Sequence, residues 1–158
     1  MVSVFENIEN PRVSSAYRVE SILNFIKSSE HQKQRVEKVR CRENYAEAKK
    51  KLPCVTWAGF FPKRELKSLT SPSNYIYVDI DDIDPDKAKE ELKGNPYIYA
   101  IWSSVSKNGV GILFKSKNIN RSNYKSTYLA IYEQLEQEGF DVDKLSDISR
   151  ANFISYDP

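Results

Sequence analysis

Histidine is almost missing from this chain: His31 is the only one in 158 residues, alongside two cysteines, Cys41 and Cys54. One chain therefore cannot build an ordinary Cys/His zinc site, and chemistry that needs an imidazole base has a single residue to draw on. Two cysteines make no disulfide framework, so a reducing cytoplasm is the expected location. Long apolar runs are missing too. No stretch approaches the ~20 residues of a membrane helix, and no apolar signal segment opens the chain, so no membrane partner is expected. Neither sign of charge is in excess, because 24 basic and 22 acidic side chains nearly cancel to +2. Their placement is uneven: residues 27–51 are crowded with Lys and Arg, and residues 79–91 are strongly acidic. A basic run is either the solvated side of an amphipathic helix or a surface facing nucleic acid, and both readings stay open.

What is present suffices for a core, with 40% hydrophobic residues and 12% aromatics. "VSVFENI" (2–8) reads as a short edge strand. Ala16, Val19, Ile22, Leu23 and Ile26 recur at helical spacing and predict a helix over 15–28. The polar stretch 30–51 reads as one or two surface helices, and "CVTWAGF" (54–60) as a strand. From residue 74 the order is β-α-β-β-α-β: "NYIYVDI", a helix capped by Asp84 with Pro85 as its first residue, "YIYAIWSS", "VGILFKS", a helix over 122–138, and "ANFISY". This predicts an α+β fold, an RRM-like βαββαβ antiparallel sheet with both helices on one face and the other face open. Residues 1–73 form an N-terminal αβ module beside a core of 74–158, in one domain of 1–158.

Side chains alternate along a strand, so Tyr75, Tyr77, Asp79 and Asp81 share one face and Ile76, Val78 and Ile80 the other. The apolar face belongs under the helices, which leaves Asp79 and Asp81 on the open side, ~7 Å apart along the strand. Two such carboxylates suit a shared divalent cation, and Mg²⁺ is usually held by one or two carboxylates plus substrate phosphates. A solvated turn is the alternative, and Asp84 and Asp86 are expected to start the next helix. An EF-hand reading fails, since its obligatory glycine position holds Asp84. Asp147 is a candidate third acid, expected beside the last strand of the same sheet, with Arg150 as a phosphate-binding fork. The hairpin offers Ser104, Ser106, Lys107 and Asn108 as donors and Gly109 for a positive φ. Gly111, Leu113 and Lys115 share a face, which predicts an ammonium near the carboxylates.

"VDID", "SVSKNGVGILF" and "SDISR" resemble, in order, the three motifs of the archaeo-eukaryotic primase superfamily. "LPCVTWAGFFPKR" and "SRANFISYDP" are similar to segments of its VirE N-terminal-like branch, found in replication proteins of phages and mobile elements. The resemblance spans roughly residues 50–158. It implies nucleotidyl transfer of the primase and DNA polymerase kind, with two Mg²⁺ or Mn²⁺ ions on Asp79, Asp81 and Asp147. It also implies nucleoside triphosphates as substrates and a single-stranded DNA template, held by residues 27–51 or by Lys63 and Arg64. Gly111 stands where that family carries a histidine. A domain of the same shape that binds nucleotide or single strands without chemistry is the alternative. A third reading is an RNA binder stacking bases on Tyr75 and Tyr77, against plain burial of those rings under the N-terminal module. The chain stops just after the third motif, so it reads as a domain excised from a longer protein, with a helicase domain expected in the same polypeptide.

Overall fold

Alternation fixes the central strand. In the computed structural model, which describes residues 1–158, β6 (Tyr75–Asp81) buries Ile76, Val78 and Ile80 completely on one side. It pairs antiparallel with β8 (Gly109–Lys115), which pairs antiparallel with β7 (Ile98–Ser103), in the order β6-β8-β7. Two helices cover the aliphatic face, α4 (Pro85–Glu91) and α5 (Tyr124–Gln137), through Ala88, Tyr124, Tyr128 and Leu135. The start of α4 is as the sequence indicates: the Asp84 carboxylate accepts from the Lys87 amide, and Pro85 is the first helical residue.

The opposite face is not open at its Tyr75 end. A second antiparallel sheet, in the order β2-β1-β3-β9, is built from β1 (Val2–Phe5), β2 (Ser15–Tyr17), β3 (Cys54–Thr56) and β9 (Asn152–Phe153). With α1 (Val19–Ser28) it covers Tyr75, Tyr77, Trp102 and Leu113. The fold is therefore mixed α+β with antiparallel sheets. Three expectations change here. β1 is not an edge strand, because β2 and β3 flank it. Ala16 belongs to β2 rather than to the first helix, which begins at Val19 once β2 has paired with β1. The closing strand joins β3, not the β6 sheet, and β6 instead meets the 141–143 segment through an Ile80–Val142 bridge.

The basic stretch forms α2 (Glu30–Arg40), capped by the Ser29 hydroxyl, and α3 (Tyr45–Lys49). A small cluster of Val36, Val39, Leu52 and Val105 holds α2 against the β7–β8 hairpin, where Arg40 donates to the Val105 carbonyl at 2.7 Å. A two-stranded ribbon, β4 (Gly59–Phe60) with β5 (Ser71–Pro72), completes the chain. No helix is long and apolar enough to cross a membrane.

Candidate functional site

Asp79 and Asp81 leave β6 on the face shared with Tyr77, where the covering sheet ends. Directly across from Asp79 in the ladder is Gly111, itself opposite Trp102 on β7. A Cβ on Gly111 would lie 2.7 Å from the Tyr77 hydroxyl and 3.0 Å from the Trp102 ring. The missing side chain lets the Tyr77 ring lie over the strand and donate its hydroxyl to Asp79 at 3.0 Å. Space that a histidine would need at Gly111 is filled by tyrosine.

The third acid at the pair is Asp143. Its amide donates to the Asp79 carbonyl at 3.1 Å, and the Asp81 amide donates to the Asp141 carbonyl at 3.3 Å, so backbone bonds hold the segment on β6. Arg150 donates to the Asp143 carboxylate at 2.6 Å, and its guanidinium stands 3.7 Å from Asp79. Asp147 instead turns onto its own loop and accepts from the Ser149 amide at 2.8 Å and hydroxyl at 2.9 Å. Short side chains before a turn commonly bond their own backbone two residues on, which gives Asp147 a local partner.

Burial pushes the Asp79 carboxyl above the usual carboxylate range, and the nearby Asp81 charge adds to the rise. Asp81 is also raised, by burial and then by Asp143. Burial and Asp79 together push the Tyr77 phenol far up, so it stays a hydrogen-bond donor. Burial works against the charge on Arg150, but Asp143 and Asp79 outweigh it and hold the guanidinium protonated. Partly desolvated acids with raised affinity for protons attract other cations for the same reason.

A pocket of about 150 Å³ opens beside Asp79. Lys49 from α3 and Arg150 supply its cations, Ser104 and Asn152 its polar wall, and Tyr77 and Trp102 its aromatic wall. Ser155 also lines it, and its hydroxyl is buried with no partner. The structure thus brings together Asp79, Asp81, Ser104 and Arg150 from the expected residues. Lys49, Tyr77, Trp102, Asn152 and Ser155 lie in stretches that the sequence marks but were not expected at this pocket, and Asp143 lies in none.

Other expected residues lie elsewhere. Lys115 shares the face of Asp79 but sits at the far end of β8, over the Tyr75 and Tyr99 rings at 5.8 and 5.0 Å. At the hairpin tip the Ser106 hydroxyl contacts that of Ser104 at 3.0 Å, and Asn108 donates to Asp82 at 2.6 Å. The left-handed residue there is Lys107, with φ 61°, and not Gly109; Gly109 is fixed by the Ile80 carbonyl, 2.3 Å from where its Cβ would be. Lys63 pairs with Glu65 at 3.0 Å, while Arg64 donates to the Ile8 carbonyl at 2.5 Å and covers the Phe5 ring. His31 is exposed on α2.

Residues 47–158 match the family model described as BT4734-like, N-terminal domain, more than two thirds of the chain. The chain belongs to the BT4734-like N-terminal domain family. The match takes in β3 to β9 and leaves β1, β2, α1 and α2 outside it. It corrects the resemblance to the archaeo-eukaryotic primase superfamily, since the family that matches is a different one. The corresponding physical difference is at the third motif, where Asp147 turns away and the closing strand pairs with β3. No curated protein and no solved structure matches the chain significantly.

Asp79, Asp81 and Asp143 are hard oxygen donors, the chemistry that Mg²⁺ and Mn²⁺ prefer. No three acidic, His or Cys side chains converge closely enough to hold one ion alone. Two carboxylates at most could therefore contribute to one ion, the number with which Mg²⁺ is usually held.

Proposed function

We propose that this domain binds a nucleoside triphosphate with a divalent ion at Asp79 and Asp81 and transfers its nucleotidyl group to a 3′-hydroxyl, forming a phosphodiester as the α–β phosphoanhydride breaks and pyrophosphate leaves. One observation carries the reading: Asp79 lines a pocket that also presents Arg150 and Lys49, and the Asp81 charge is near enough to raise its carboxyl further. Three acids and two cations leave the site one charge negative, which suits a divalent ion arriving with a polyphosphate. When bound, Mg²⁺ or Mn²⁺ supplies Lewis acidity and neutralises charge on the transferred phosphoryl oxygens. Arg150 offers the phosphates a planar fork and Lys49 a mobile ammonium. Ser104 and the unpartnered Ser155 hydroxyl add neutral donors, and the Tyr77 and Trp102 rings exclude water from one wall. Asp79 and Asp81 act as ligands in this reading and not as bases.

A second reading has its own observation. Arg150 already bridges Asp143 and Asp79, an arrangement that also serves a domain binding nucleotide without chemistry. The β6-α4-β7-β8-α5 succession, with β8 between two parallel strands, supports an RRM-like description of the larger sheet. Two free thiols fit a cytoplasmic setting. Extension of a primed single strand with labelled nucleotide, in Mg²⁺ and in Mn²⁺, tests the proposal. Metal-dependent incorporation abolished by Asp79→Ala with Asp81→Ala is the expected result, and activity surviving that double change overturns it. Nucleotide binding that needs Arg150, without incorporation in either metal, selects the second reading.

A further inference from the structure

The short helix α3 is a wall with two sides. Lys49 faces the Asp79 pocket, while Ala48 and the following Lys51 face a second cleft of about 280 Å³. The far wall of that cleft is the last turn of α2 and the loop after it, with Lys38, Val39, Arg42 and Asn44. No acidic side chain lines it. Lys51 is paired, with Glu9 at 2.5 Å, but Lys38 and Arg42 have no carboxylate within reach of a salt bridge. Both are exposed, as is Asn44.

We propose that this cleft binds the phosphate backbone of single-stranded nucleic acid. The cations are free to replace the counterions of a polyanion, Asn44 adds a neutral donor, and the Val39 and Ala48 side chains give sugars an apolar floor. A concavity this small follows one flexible backbone and is too narrow for a duplex. Its position argues for the same partner, because Lys49 continues the positive track over α3 to the Asp79 pocket. The identity of the polymer rests on the nucleotidyl-transfer reading; the polyanion site itself does not. Cations in the last turn of a helix also complement its dipole, which accounts for Lys38 but not for Arg42, beyond the helix end. Of the two stretches that the sequence offers for a template, 27–51 contains this cleft, while Lys63 and Arg64 are engaged by Glu65 and by the Ile8 carbonyl.

A built-in reporter lies in the loop. Cys41 is exposed between Arg40 and Arg42, whereas Cys54 is fully buried and burial pushes its thiol up to about 11. A maleimide therefore reads Cys41. A short oligothymidylate at low salt is expected to slow that labelling, with fluorescence anisotropy giving an affinity that falls as salt rises. Lys38→Gln with Arg42→Gln should weaken binding and lower the salt slope by about 1.4, at ~0.7 per lost single-strand contact. Binding by Asp79→Asn with Asp81→Asn, measured without metal, should not weaken, since the change removes no cation of the cleft. Failed incorporation alongside intact anisotropy would thus retire the nucleotidyl-transfer reading and leave the cleft standing. The proposal is overturned by an unchanged Lys38/Arg42 variant, by DNA binding that leaves Cys41 equally reactive, or by tighter binding of duplex. Equal protection by polyglutamate also overturns it, pointing to an acidic protein partner.

Discussion

The Tyr77 hydroxyl donates to Asp79 across the space that Gly111 leaves vacant. A ring two residues away on the same strand thereby positions the buried carboxylate, and the cross-strand neighbour must remain small. Gly111→Ala is expected to destabilise the fold by ~1–3 kcal/mol, the usual cost of overpacking, measured by chemical denaturation. Gly111→His, which would place an imidazole opposite Asp79, should be worse. A variant as stable as the parent would show that Tyr77 moves aside freely.

Asp79 offers a pH-dependent test. Its folded carboxyl binds protons more tightly than in the unfolded chain, so the folded state carries the extra proton. Stability linked to this group is greatest at low pH and is lost as pH rises through the raised folded value. Asp79→Asn should therefore raise Tm at neutral pH, with a gain that shrinks as pH falls through the raised folded value toward the ordinary carboxylate range. Thermal scans of both proteins across that range check it. A gain that is independent of pH would mean the charge is not its source.

Arg150 links the acids, so its removal should have the opposite sign. Arg150→Gln strips Asp143 of a charged hydrogen bond and leaves two partly buried carboxylates closer to mutual repulsion. A loss of ~1.5–3 kcal/mol follows from the worth of hydrogen bonds to charged groups. Denaturant titration of Arg150→Gln, alone and with Asp143→Asn, measures the coupling, and the double variant should lose less than the sum of the singles.

Asp157 is a latch at the end of β7. Its carboxylate accepts from the Ser103 amide at 2.8 Å and from Lys89 at 2.9 Å, and its own amide donates to the Ile26 carbonyl. Asp157→Ala orphans a part-buried amide at the end of β7 and should cost ~1–3 kcal/mol. Amide exchange at Ser103 should accelerate with it, and unchanged exchange would mean the latch is redundant.

Much of the larger sheet was legible because alternation along β6 and the Asp84–Pro85 cap are local signals. The face of Asp79 could be read for the same reason. Lys115 shows the limit of that rule, since alternation gives the face of a side chain but not which end of the sheet it serves. The partner of Asn152 and Phe153 could not be read, because a two-residue strand has too little pattern to select between two sheets, and packing decides. Asp143 was missed on similar grounds: backbone bonds to β6, invisible in sequence, bring it to Asp79.

The stretch from Arg150 to Asp157 walls the pocket, pairs with β3 and ties β7 to α1 and α4. One short ribbon thus completes the site and stitches both sheets together. On the ribosome, where the chain emerges in order, the pocket beside Asp79 stays incomplete until those eight residues are free of the exit tunnel. A nascent chain would then gain its pocket and the tie between its two sheets in the same event.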